Sequence, residues 1–348
     1  MSAEVISRRT FMKMACSVTA AALLPPVIPV SAMPGFEEVT RGKDGSYYLS
    51  KTAFLMGTYV TISASGPSQD LLQEASSVGF DEIRRLIPVF NRFDSSSALS
   101  QFNAQGHLGD APKELLEVSA MSRQLHEQSL GSFDVTILPA LKLMETYAGN
   151  TEKLASAGFQ KELKERLALV DGSKITISRN GLSTSTKEMA LTFDGIGKGY
   201  ILDAAAAVMK NSGVTNFLIN GGGDMIASGV REKGRPWTVA VENPLNPSRP
   251  YAVVKMNNEA IATSGGYEVF FDSARVHHHI VDPRFGICPD AGRVVSVRAS
   301  SVALADAYAT MLCVLGPREG LRLADGVSGV NALFAGKQKR MLKTSGWV

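Results

Sequence analysis

Helix-like and strand-like segments follow one another along this chain in no regular alternation, and that order bears most directly on its fold. Apolar residues recur at helical spacing from Ser68 to Pro88, through Leu71, Leu72, Ala75, Val78, Ile83, Leu86 and Ile87. Further helices are expected at Pro112 to Leu130 before Gly131, at Leu154 to Arg166, at Tyr200 to Asn211 before Gly213, and at Ser301 to Leu315 before Gly316-Pro317; one more begins near Val135. Strands are expected at 52–64, 174–177, 191–193, 216–220, 237–242, 253–256, 260–263 and 294–299, and residues 91–103 read as a polar turn. A doubly wound sheet needs repeated βαβ units, so this order predicts the α+β class.

The N-terminus has to be set aside first. Ser7-Arg8-Arg9-Thr10-Phe11-Met12-Lys13 places two arginines before an apolar residue and a lysine, a mildly apolar run extends from Met14 to Leu24, and Val30-Ser31-Ala32 offers small residues to a signal peptidase. This reads as a twin-arginine secretory signal cleaved after Ala32, with the periplasm as destination. The run is well short of the ~20 apolar residues of a membrane span. Residues 33–50 then read as a linker and 51–340 as the folded domain. Cys16 lies in the signal; Cys288 and Cys313, the remaining pair, make no disulfide framework.

A formal net charge of +3 with no long basic block excludes nucleic acid as the natural partner. With 45% apolar residues the chain has ample material for a core.

Four segments carry candidate chemistry. In Phe193-Asp194-Gly195-Ile196-Gly197-Lys198-Gly199-Tyr200 a strand passes through a glycine-rich bend into a helix. Glycines admit close backbone approach, and a helix N-terminus offers N–H groups to phosphate. The same residues would also make a plain tight turn, and Gly199 stands where a P-loop needs Ser or Thr. In the apolar run Ala303 to Leu312, Asp306 and Thr310 lie one helical turn apart. A carboxylate there is costly unless it is paired or binds a metal, and such oxygen donors suit magnesium; a surface position at the helix end is the alternative. His277-His278-His279 puts three of five histidines side by side. On a strand, His277 and His279 would share a face. No Cys or Glu stands at a zinc spacing, so a single histidine acting on a hydroxyl or phosphate is the more economical reading. Ala262-Thr263-Ser264-Gly265 ends a strand at small residues, as a ligand loop or a simple hairpin.

Taken in order, these segments resemble the ApbE family of FAD:protein FMN transferases. The resemblance rests on Met56-Gly57-Thr58, Phe90 to Asp94 with Ser97 to Ser100, Ser132 to Thr136, Asp194 to Tyr200, Asn220 to Asp224, Ala262 to Gly265, His278 to Arg284, and Ala305-Asp306-Ala307. It implies mixed sheets with packed helices around a central nucleotide cleft. It implies Mg²⁺-dependent transfer of the FMN half of FAD to a threonine of an exported or membrane-bound electron-transfer flavoprotein, with release of AMP. By resemblance Asp306 and Thr310 are metal ligands, completed by backbone oxygens near Gly195 and Ala309. Met56, Phe93, Ser132, Phe133, Asp134, Lys198 and Val281 match positions along the flavin nucleotide, and His279 and Asp306 match the reacting end. The chain departs from the family where Thr192 replaces an acid, so that either Asp194 takes that contact or the nucleotide is held differently, and where Phe285 replaces a frequent threonine before Gly286. The same scaffold would also serve an FAD pyrophosphatase, or a non-catalytic exported FAD-binding maturation factor.

Overall fold

In the computed structural model the described residues are 36–231, 234–246, 248–336 and 341–347. The twin-arginine segment and its cleavage point lie outside them. In chain order the elements are β1 (Phe36–Arg41), β2 (Tyr47–Leu55), β3 (Thr58–Gly66), α1 (Gln69–Phe90), α2 (Ala98–Gln105), β4 (His107–Gly109), α3 (Lys113–Gln128), α4 (Leu138–Thr146), α5 (Thr151–Leu154) and α6 (Ala157–Leu167). Then follow β5 (Ile175–Ile177), β6 (Gly181–Thr184), α7 (Gly197–Asn211), β7 (Phe217–Gly221), β8 (Asp224–Ser228), β9 (Trp237–Val241), β10 (Ala252–Met256), β11 (Glu259–Gly265), β12 (Val294–Ala299), α8 (Val302–Asp325), β13 (Asn331–Ala335) and β14 (Leu342–Lys343).

Among the described residues nine strands form one antiparallel sheet in the order β1-β2-β3-β7-β8-β11-β12-β13-β14. The α+β class therefore holds. The core contains the apolar stripe of α1 (Phe80, Ile83, Leu86), the inner face of α7 (Leu202, Ala205, Met209) and the inward strand residues Val60, Ile62 and Ile219. A Cβ on Gly79 would stand 3.1 Å from both Ile62 Cδ1 and Met209 Cγ, so glycine there lets α1 sit tightly between sheet and α7. The β9–β10 hairpin belongs to a separate core cluster, which holds Trp237, Val254 and Met256 with Ile261 and Leu333. A third cluster joins α4 and α6 to Phe271 and Val281.

Several expectations need correction. Residues 36–50, read as linker, supply β1 and the start of β2. The single strand expected over 52–64 is a hairpin. Met56 (φ 54°) and Gly57 (φ 72°) both take left-handed φ, which turns the chain so that Leu55 pairs with Thr58. A Met-Gly turn lacks the Asn-Gly signature, so alternation carried straight through it. Residues 191–193 form no ladder; the neighbouring Ala190 makes an isolated bridge with Ile137. The polar stretch 91–103 contains α2, whose N-cap Ser97 accepts from Ser100 N. Helix α8 runs past Pro317 to Asp325, with Gly316 (φ 78°, ψ 173°) kinked inside it. Proline has no N–H for the Cys313 carbonyl, and Arg293 Nη1 donates to that oxygen instead.

The fold brings three chain segments to one place. Strand β8 starts at Asp224, beside the end of its antiparallel neighbour β11, and Thr263 N donates to Asp224 Oδ1 at 3.4 Å. Helix α7 begins there too, packed against the first turn of α8. A Cβ on Gly199 would lie 2.6 Å from the Val302 backbone, so only glycine permits this approach. The two helices also cap each other. Asp203 on α7 accepts from Val302 N (2.8 Å) and Ala303 N (2.9 Å) at the start of α8. Asp306 on α8 faces the Gly199 N–H at the start of α7. Anions at helix N-termini are favoured by roughly 0.3–1 kcal/mol each.

Candidate active site

A cavity of about 170 Å³ opens where these segments meet. That space suits a hydrated ion and a phosphate rather than a whole dinucleotide, whose remainder would follow the open cleft. Ser132, Phe133, Asp134, Asp194, Gly195, Lys198, His279, Val281, Asp306 and Thr310 all line it. Ten residues named from sequence thus converge on one hollow.

The remaining three do not line it. Ala309, next to Thr310 on α8, is fully buried and does not line the cavity. Phe93 is 77% exposed, under the Arg92 guanidinium at 4.1 Å from its ring centroid. Met56 packs against the main core at the β2–β3 turn.

Asp306 is 6% exposed, and its Oδ2 is a buried oxygen with no hydrogen-bond partner. Burial first, and then the charge of Asp224, push its carboxyl well above the ordinary range; Lys198 and the Gly199 N–H pull the other way. Thr310 stands one turn further on, and its Oγ1 is 3.0 Å from the point a Gly195 Cβ would occupy. Glycine therefore lets the bend close down on Thr310. Ser264 Oγ lies 3.2 Å from the same Oγ1. This is an oxygen-only donor set around an orphaned buried carboxylate oxygen, in a cavity with more negative than positive groups. It fits a hard divalent cation such as Mg²⁺.

Lys198 Nζ is 2.7 Å from Asp224 Oδ2. Burial opposes the lysine's charge, but Asp224 and Asp306 outweigh it, so the ammonium persists. At the helix N-terminus Gly197 N donates to the Phe193 carbonyl at 2.6 Å, and Gly199 N faces Asp306. Lys198 adds a fixed positive charge beside them.

Asp194 accepts from Arg92 Nε at 2.8 Å, and Arg92 grips Glu145 with its other nitrogens. The acid that follows Thr192 is thus already paired. Thr192 is a backbone tie, donating from N to the Val135 carbonyl (2.8 Å) and accepting from Asp194 N at its hydroxyl (3.2 Å). Asp134 is also occupied. Oδ1 takes Thr136 N and Oγ1, and Oδ2 takes Gly172 N at 2.9 Å. Ser132 Oγ, by contrast, is buried in the cavity wall without a partner.

The three histidines diverge. His277 Nδ1 meets Asp272 Oδ2 at 2.5 Å, with its ring edge against Phe159. His278 is fully buried, bonded through Nε2 to the Pro289 carbonyl at 2.8 Å, with Cys288 on its backbone. Among the described residues no cluster of three His, Cys, Asp or Glu could hold a metal. Only His279 enters the cavity. Its Nδ1 is 3.4 Å from the Val269 carbonyl. A carbonyl only accepts, so Nδ1 carries the proton and Nε2 is left as a base. Burial pushes the imidazole below its usual range, with the Val269 contact opposing.

Sequence reasoning singled out neither Asp224, Ser264 nor Glu268 as site residues. The first two lay in the Gly-Gly-Gly-Asp and Thr-Ser-Gly runs, where the acid and the hydroxyl were the available signals. Glu268 lies just beyond, after a glycine pair. The apolar wall of Val135, Ile137, Leu141 and Val314 had no local signal at all.

Comparison with known proteins identifies the family. The family model of the ApbE family matches residues 56–334. A Vibrio cholerae protein named FAD:protein FMN transferase is 31% identical over 256 residues, covering 70% of this chain and 75% of that protein. A Treponema pallidum protein of the same name is 30% identical over 332 residues, covering 86% and 87%. The Pseudomonas stutzeri flavinyl transferase ApbE, in its apo crystal form, superposes with a TM-score of 0.70 at 26% identity over 89% of this chain and 96% of that one. With the motifs in register, the family model spanning most of the sequence and the same fold in a solved relative, the chain belongs to the ApbE family.

Proposed function

We propose that this chain transfers the FMN moiety of FAD to a threonine hydroxyl of a target flavoprotein, releasing AMP, with Mg²⁺ as cofactor. The observation that carries the reading is the unpartnered Asp306 Oδ2 beside Thr310 and Lys198 in one cavity. Asp306 and Thr310, with the Gly195 backbone, would hold the ion, which when bound offsets negative charge on the diphosphate. Lys198 supplies a second, fixed positive charge to the same oxygens. Ser132, Phe133 and Val281 bound the nucleotide, and the apolar wall excludes water. His279 Nε2 accepts the proton of the acceptor hydroxyl as its oxygen bonds to the FMN phosphorus. The bond from that phosphorus to the bridging oxygen breaks, and AMP leaves with the oxygen. The transferase domain begins at β1 and includes β14, residues 1–32 direct twin-arginine export to the periplasm, and an exported or membrane-bound electron-transfer flavoprotein is the acceptor.

Incubation with FAD, Mg²⁺ and a candidate acceptor tests the reading by intact-protein mass spectrometry. The expected result is one FMN-phosphoryl mass added on a threonine, with AMP in equal amount. Release of free FMN and AMP from FAD alone, with the acceptor unmodified, would make the protein a pyrophosphatase instead. FAD bound but left intact would make it a carrier.

A further inference from the structure

We propose that His126 is a positioning residue for the nucleotide cleft, holding the wall that presents Ser132 and Phe133 to the ligand. The inference rests on the FAD reading above and adds a residue that no motif contains. His126 lies in the last turn of α3, outside the cavity. Its ring Nδ1 is 3.0 Å from Asp134 Oδ2, and the two side chains are 18% and 2% exposed. Its carbonyl accepts from Gly131 N (3.0 Å) and from Ser129 Oγ (3.1 Å). Ser129 Oγ in turn accepts from Phe133 N at 3.0 Å. One residue therefore grips the loop at both ends, through its backbone at Gly131 and Phe133 and through its ring at Asp134. Ser132, with its unpartnered hydroxyl in the cavity wall, lies between the two grips.

The ring is itself confined. A Cβ on Gly172 would come within 3.2 Å of His126 Nδ1 and of Asp134 Oδ1, and one on Gly131 within 3.6 Å of His126 Cε1. Two glycines thus leave a slot that the imidazole fills. The contact is a close ion pair rather than a hydrogen bond, because the Nδ1–H is not aimed along it. Asp134 already has backbone and hydroxyl donors from Thr136 and Gly172; the charge of the ring ties its side chain to α3. Without that charge the loop keeps its backbone bonds to α3 and Gly172, but the Asp134 side chain beside Ser132 and Phe133 loses its hold on the helix.

The test is FAD affinity by flavin fluorescence, together with kcat for AMP release, in three chains. His126→Leu removes the ring and its charge; His126→Asn puts a neutral polar N–H near the Nδ1 position. The expected result is an FAD Kd raised about tenfold in His126→Leu, the loss of one largely buried charge contact, with kcat at saturating FAD within about twofold of wild type. His126→Asn should return part of the affinity. Unchanged affinity in His126→Leu, equal losses in both variants, or a fall in kcat alone would overturn the proposal. If His126→Leu does not fold, His126→Gln replaces it, with intermediate affinity expected and wild-type affinity counting against the inference. Absence of FAD binding by the wild-type chain would instead sink the functional reading beneath it.

Discussion

Lys198 Nζ lies 2.7 Å from Asp224 Oδ2, and Asp306 faces the same lysine from the second turn of α8. One ammonium serves two buried carboxylates, with Glu268 on the rim adding a third negative group. The cavity is short of positive charge by construction. A folded protein tolerates that where a ligand supplies what is missing.

Replacing Asp306 with Asn separates function from stability. The carboxylate is buried with an orphaned oxygen, and burial and Asp224 raise its affinity for a proton. Its ionised form therefore costs folding free energy at neutral pH, and more so as pH rises. Asp306→Asn should leave Tm unchanged or raise it in metal-free buffer, while Mg²⁺-dependent AMP release falls by about a hundredfold or more, the loss of several kcal/mol of charge stabilisation. Thermal melts and AMP chromatography check both halves; retained activity at saturating Mg²⁺ would reject the ligand assignment.

Lys198→Met should act in the opposite direction. It leaves Asp224 buried without its cation. Breaking a fully buried pair costs about 3–5 kcal/mol, and with Lys198 31% exposed a loss of about 2 kcal/mol is reasonable. Burial holds the Asp224 carboxyl above its ordinary range, against the pull of Lys198, so its protonated form is the better tolerated one. The deficit should shrink as pH is lowered and grow as pH rises. Denaturant melts across pH measure it.

The closeness of Gly195 to Thr310 gives a finer probe. A methyl group on Gly195 would press on Thr310 Oγ1 at 3.0 Å and Cγ2 at 3.3 Å. Gly195→Ala should raise the Mg²⁺ concentration needed for half-maximal activity by about tenfold with little change in Tm. Adding Thr310→Ser, which removes Cγ2, should recover part of the loss.

How much of this could be read from sequence varies with the kind of constraint. Asp306, Thr310 and Lys198 were legible because a charge or hydroxyl in an apolar or glycine-rich setting demands a reason. The helices α1, α7 and the first part of α8 followed from apolar period and stop signals. Asp224 was harder, since only the fold carries β8 to the N-terminus of α7. The Met56-Gly57 turn and the continuation of α8 beyond Pro317 were hidden, because Arg293 and the sheet register that permit them are distant in the chain. Phe93 and Ala309 were named by resemblance, and here they lie off the cavity.

His279 sets a pH limb. Burial holds its imidazole below the usual value of 6.5, so it is neutral and basic at neutral pH. Activity should be flat around neutrality and fall on acidification only below 6.5, as Nε2 becomes protonated. His279→Gln should keep FAD affinity and lose transfer, and a pH profile of kcat shows whether the limb disappears with it.

The most direct measurement is the anomalous signal of Mn²⁺ in crystals grown with FAD. A peak is expected at about 2.0–2.2 Å from Asp306 Oδ2 and Thr310 Oγ1, against the diphosphate. A peak at the His277–Asp272 pair, or none in the cavity while FAD is bound, would contradict the account.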